Sequence, residues 1–241
     1  MKSDQVINAE TISLGANCHI GERVTISGRF GKKAKRFVLG DNCRIDDDCR
    51  IFVDDMQTGD YFTLNNHGLI NGDAPIKIGH SVWIGQNVVL DPTNSLTIGN
   101  GVGIGAYSQL WTHIRHGDTV QGCRWDTSQA LDVGDDVWFV GHVIVSPVKI
   151  ERRSMAMVGS VITKPMLENR VYGGCPAVDI TDKTGPQFED ISPEQKLERG
   201  RQKLEKFFEV HPEHPRDAIR LVIGSDEFEN DASSWFAVED R

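Results

Sequence analysis

The chain has 241 residues, 39% of them hydrophobic, and a formal net charge of −9, which suits one elongated soluble domain with an appendage. The acidic balance argues against a nucleic-acid partner, because phosphate binding needs clustered Lys and Arg. No run approaches the roughly twenty apolar residues of a membrane span. Residues 1–10 carry Asp4 and Glu10 and lack an apolar stretch, so a cytoplasmic location is expected.

A six-residue rhythm then governs the chain. It runs Leu14-Gly15, Ile20-Gly21, Ile26, then Leu39-Gly40, Ile45-Asp46, Ile51, then Ile78-Gly79, Ile84-Gly85, Leu90, then Ile98-Gly99, Ile104-Gly105, Leu110, and ends on Val133-Gly134, Phe139 and Val145. A short fixed period fixes architecture before single residues are weighed. Two inward positions per six, with turn formers between, suit a short strand, a corner and another short strand. Three units close a triangular coil of about eighteen residues, with coils stacked roughly 4.8 Å apart. The expected fold is therefore mainly β, a parallel β-helix whose core is a column of Leu, Ile and Val. Periodicity leaves the hand open.

Three stretches interrupt the rhythm. A short basic break at 29–35 reads as a surface loop. A second break, at about 54–75, contains Asn65, Asn66, His67 and Asn71. The third, at about 112–130, contains His113, His116, Asp118, Cys123 and Trp125. Repeat proteins keep function in such breaks, because corners tolerate insertion and coils do not. Beyond Ile180 the rhythm stops. Ser192-Pro193-Glu194 is a helix start, with an N-cap, Pro at the first helical position and an acidic first turn, and predicts a helix over 193–210. Leu197, Leu204, Phe207 and Phe208 form its apolar stripe. Residues 218–223 read as a strand or short helix, ahead of an acidic end containing Trp235 and Phe236. The expected division is a β-helix domain over 1–182 and a C-terminal extension, helix plus mixed segment, over 183–241.

Five cysteines show neither disulfide nor metal-site spacing. Cys18, Cys43 and Cys49 each fall four residues after Leu14, Leu39 and Ile45, where the repeat wants a small side chain, so they read as packing thiols. A locally basic segment, Lys149, Arg152, Arg153, Lys164 and Arg170, offers charge to a phosphorylated cofactor.

The runs Ile78-Gly79-His80-Ser81-Val82-Trp83-Ile84-Gly85 and Val133-Gly134-Asp135-Asp136-Val137-Trp138-Phe139 are similar to those of the hexapeptide-repeat acyltransferases. So are Gly159-Ser160-Val161-Ile162-Thr163-Lys164 and the ending Gly174-Cys175-Pro176-Ala177. The resemblance spans about 10–182. It implies a left-handed β-helix, a homotrimer, and transfer of an acetyl group from acetyl-CoA, as in the sugar O-acetyltransferases of polysaccharide biosynthesis. It matches the run Trp111-Thr112-His113-Ile114-Arg115-His116 to the start of the family's active-site loop. His113 is then the catalytic base, and His116 aligns with a second histidine. Histidine suits the task because its unperturbed pKa of about 6.5 leaves it largely neutral yet able to hold a proton near pH 7. Asn65 matches an acceptor-binding asparagine. Trp138, Gly141, Val158, Thr163 and Lys164 carry over to the CoA groove, the last two towards the nucleotide. The chain departs from the pattern at Val140, where Gly is usual, and at Ala156-Met157-Val158, where Ile-Gly-Ala is common. No metal is expected.

Three alternatives stand beside this reading. One is N-acetylation of an amino sugar, nucleotide-linked amino sugar or xenobiotic. Another is a non-catalytic scaffold that displays the tail. The third is a zinc hydratase of the carbonic-anhydrase kind, for which His67, His113 and His116 are the available ligand set.

Overall fold

A computed structural model of the protein describes residues 5–213, and the chain divides into two compact units at Phe188 and Glu189. The first unit is a parallel β-helix. Three sheets of eight, six and nine strands, here the first, second and third faces, are visited in rotation, so each strand pairs with the one a full turn later. The rhythm of the sequence is the register of those pairs. On the first face Ile26, Ile51, Ile70, Leu90, Leu110, Val145 and Ile162 stack in line. On the third, Ile45, Leu64, Ile84, Ile104, Phe139 and Ala156 do the same. Met56, Ile76, Leu96 and Leu131 form the second column. All are essentially inaccessible to water, and each side chain so buried contributes about 1.5 to 3 kcal/mol.

The turns are longer than the expected eighteen residues in the middle of the helix and shorter at its end. Ile51 to Ile70, Ile70 to Leu90 and Leu90 to Leu110 advance 19, 20 and 20 residues, whereas Val145 to Ile162 advances 17. The stretch 54–75 is consequently not an insertion. It contains ordinary strands, Asp55–Thr58, Thr63–Leu64 and Leu69–Asn71, in register above and below. Its Asn, Asp and Gly residues are corner formers. At two of the three edges the corners turn through a left-handed residue, among them Asn42, Tyr61 and Ser81 between the second and third faces, and Asp48, His67 and Asn87 between the third and first.

The second-to-third corner is tied by a side-chain ladder. The Ala16 N–H donates to Asp41 at 2.7 Å, the Asp41 N–H to Asp60 at 2.8 Å, the Asp60 N–H to His80 Nδ1 at 3.0 Å, the His80 N–H to Asn100 at 2.9 Å and the Asn100 N–H to Asp135 at 2.6 Å. Those corner N–H groups have no strand partner, and side-chain acceptors satisfy them. His80 is thus a structural member of the corner, although its ring is largely exposed. Cys43 and Cys49 are buried and Cys18 packs against the core, as their repeat positions predict.

In the second unit Pro193–Val210 is helical, with a capping box in which Ser192 accepts from the Gln195 N–H and Gln195 accepts from the Ser192 N–H. Leu197, Gly200, Leu204 and Phe208 fall on its shielded face, and Phe207 lies outside it. The segments read at 218–223 and around Trp235 and Phe236 lie outside the described residues. Among the described residues no helix is long and apolar enough to cross a membrane.

Candidate active site

Two interruptions of the coil survive in the structure, and both leave the corner between the first and second faces. The lower is a loop carrying the 3-10 turn Arg29–Gly31. The upper follows Trp111. There the register jumps 35 residues, from Leu110 to Val145, and the excluded chain forms an antiparallel arm, His113–Arg115 against Asp126–Ser128.

The arm is rooted by buried polar contacts. Thr112 is fully buried, its hydroxyl donates to the Asp91 carbonyl at 2.7 Å, and the same oxygen accepts from the Asn94 N–H at 2.8 Å. Asp91 sits one turn below, opposite Trp111 in register. One of its carboxylate oxygens, Oδ1, accepts from the Thr93 N–H at 3.0 Å and lies 3.1 Å from His113 Nδ1. The two side chains are 12% and 22% exposed, so the pair is shielded but reachable. The Trp111 ring meets the imidazole edge-on at 5.9 Å between centroids.

That geometry sets the state of the imidazole. A carboxylate only accepts, so Nδ1 carries the hydrogen of the neutral ring and Nε2 keeps the lone pair. Nε2 has no protein partner among the described residues. An oriented imidazole with a free Nε2 takes a proton, and the adjacent carboxylate stabilises the imidazolium that forms. Thr112 belongs to the run matched to the loop start, whereas no motif in the sequence pointed to Asp91 or Asn94. The one local signal was a carboxylate directly after the inward-pointing Leu90, in the turn that precedes the long insertion.

The other expected site residues are distributed around the coil. His116 is exposed just past the arm's first strand. Asn65 lies at the third-to-first corner, away from His113 within the chain, and its amide donates to the Ile84 carbonyl at 2.7 Å. His67 stands at that corner too, 3.9 Å from Asp48, so His67, His113 and His116 do not converge within one chain. Trp138 lies on the third face, 44% exposed, with its indole against Gly103. Gly141 and the 62% exposed Val158 occupy consecutive turns of the third-to-first corner, where the Gly159 N–H donates to the Gly141 carbonyl at 3.0 Å. Thr163 and Lys164 are exposed on His113's own corner, higher up. The basic segment is mostly neutralised. Lys149 pairs with Glu151, Arg152 with Glu168, Arg153 with Asp136, and Arg170 with Asp179 and Asp182. Lys164 alone of the five has no carboxylate partner among the described residues.

No family model matches the sequence. Among solved structures, AntD, an N-acyltransferase from Bacillus cereus crystallised with dTDP and 3-hydroxybutyryl-CoA, superposes with a TM-score of 0.51 at 13% identity, over 70% of this chain and 90% of that one. The polySia-specific acetyltransferase NeuO gives a TM-score of 0.48 at 17% identity, over 74% and 87% of the two chains. The hexapeptide-repeat acetyltransferase VCA0836 from Vibrio cholerae gives 0.41 at 28% identity, over 48% and 71%. The chain has the left-handed parallel β-helix fold of the hexapeptide-repeat acyltransferases.

Proposed function

We propose that this chain transfers an acetyl group from acetyl-CoA to a hydroxyl of a sugar or polysaccharide precursor, directly and with His113 as general base. The observation that carries the reading is the pairing of His113 with Asp91 at the root of the one long insertion. His113 Nε2 removes the acceptor proton as its oxygen attacks the thioester carbonyl, the tetrahedral intermediate collapses with cleavage of the C–S bond, and the imidazolium, held by the Asp91 carboxylate, returns the proton to the departing CoA sulfur. Backbone groups at Gly141 and Val158 hold the thioester and pantetheine arm, and Trp138 flanks them. Unpaired Lys164, beside Thr163, serves the nucleotide phosphates. The acyl-CoA in AntD, which shares the fold, accords with this.

The working form is a homotrimer in the cytoplasm, with each CoA groove between neighbours and Asn65 and His116 reaching the acceptor. Support for association comes from the upper part of the first face, whose outward row, polar below at Thr25 and Arg50, runs upward through Leu69, Val89, Gln109, Ile144 and Val161. The corresponding row of the second face is polar, Gln57, Lys77, Thr97 and Asp132. Nearly apolar outer rows mark faces that are covered, and the upper third face, with Trp83 and Trp138 pointing outward, presents a second one.

The test is release of free CoA against a panel of sugars, nucleotide sugars and amino sugars, for the natural chain and His113→Ala. Turnover is expected to fall roughly 10²- to 10⁴-fold in the variant, with CoA binding by calorimetry and the melting temperature unchanged. Equal turnover would remove His113 from the chemistry.

A further inference from the structure

The two interruptions leave the same corner of the prism, and the surface between them is furnished in a way that the transfer of one acetyl group does not require. Going down from His113, the outward row at this corner passes from Trp111 to Asp91, then Asn71 and Phe52, one rung of roughly 4.8 Å at a time. The Asn71 amide is half-exposed and has no protein partner among the described residues. Phe52 is half-exposed beneath it. The lower loop closes this row. Its Arg29 reaches up past one turn to Asp73, Nη1 to Oδ2 2.5 Å, and the Arg29 guanidinium lies 4.8 Å over the Phe30 ring. Phe30 is the most exposed aromatic ring described, 84% accessible, on a left-handed backbone with φ of 56°.

The Arg29 cation over its ring and the Arg29–Asp73 ion pair brace Phe30, so that its exposed face is presented in a fixed position at this corner. Resting on the acetyltransferase reading above, the geometry points to an extended acceptor site: an oligosaccharide segment of several sugar units lies along this corner, with its reacting hydroxyl at His113. Sugar rings present an apolar C–H face and a rim of hydroxyls. Phe30 and Phe52 offer flat apolar surfaces for the first, and the Asn71 amide, with two donors and an acceptor, suits the second. The span from Trp111 to the Arg29–Asp73 pair covers about two rungs, roughly 10 Å, and Phe30 extends it. A single monosaccharide at His113 would leave Phe30 uncovered.

The test is direct glycan binding together with kinetics. Immobilised sialic-acid, galacturonic-acid, N-acetylglucosamine and maltose oligomers of one to six units are probed with the full chain, Phe30→Ala and Asn71→Ala, with CoA affinity measured in parallel. Expected is affinity that rises with length for one series, at least tenfold from monomer to tetramer, with that gain abolished in both variants while CoA affinity and melting temperature hold. Equal binding of monomer and oligomers, an undiminished gain in the variants, or no binding to any series overturns the extended site. Loss of CoA binding in the natural chain would instead overturn the transferase reading, because the glycan arm of the experiment does not depend on CoA.

Discussion

At the residue scale the site depends on how Asp91 is held. Its carbonyl is fixed by Thr112, its carboxylate by the Thr93 N–H, and the remaining interaction is with His113. Asp91→Asn keeps the shape but removes the charge, and its amide can donate to Nδ1 and so favour the wrong tautomer. We expect kcat to fall about 10²-fold or more, with KM for acetyl-CoA and the melting temperature little changed; steady-state kinetics beside a thermal melt decides it, and undiminished kcat would make the pair merely structural. The cysteines offer a second check. Burial pushes the Cys49 thiol up to about 11 and raises that of Cys43, whereas Cys175 is exposed. A thiol must ionise to react, so iodoacetamide at pH 8 should label Cys175 while sparing Cys43 and Cys49 until denaturant is added, as read by peptide mass spectrometry. The resemblance of its neighbours pointed to His113 and repeat spacing to the packing cysteines, but no local pattern pointed to Asp91, because the contact joins residues one full turn apart.

At the element scale the corners impose the strictest demands. A Cβ on Gly105 would stand 2.0 Å from the Val140 carbonyl oxygen in the turn above, so no small adjustment accommodates it. Gly105→Ala should cost several kcal/mol of stability, read from urea unfolding, or prevent folding, whereas an alanine at Gly31, with open space around it but φ of 73°, should cost only about 1 kcal/mol. The helix over 193–210 was legible to the residue because capping is local, carried by Ser192, Pro193 and Gln195 alone. The apparent break at 54–75 was misread for the opposite reason. Wider first-to-second corners, such as the one through Gly72 and Asp73, lengthen the turn and put the six-residue count out of phase, while the strands on either side stay in register.

For the whole molecule, the apolar outward row of the first face predicts that Ile144→Asp places a charge where a neighbouring subunit packs. Analytical ultracentrifugation should show a trimer for the natural chain and a smaller species for the variant, with transferase activity lost alongside; a monomeric natural chain would refute the assembly. By itself the sequence determined the β-helix, most of its inward positions outside 54–75, the place of the long insertion and the start of the terminal helix. Each of these follows from short-range spacing, since inward positions recur with the repeat and capping acts within four residues. Only the tertiary structure decided the length of each turn, the pairing of Arg152 and Arg153 with carboxylates from other turns, the ladder that employs His80, and the union of Asp91 with His113. Those depend on which residues the stacking of turns brings opposite one another, and register between residues 16 to 35 positions apart is fixed by the packed core, not by any local pattern.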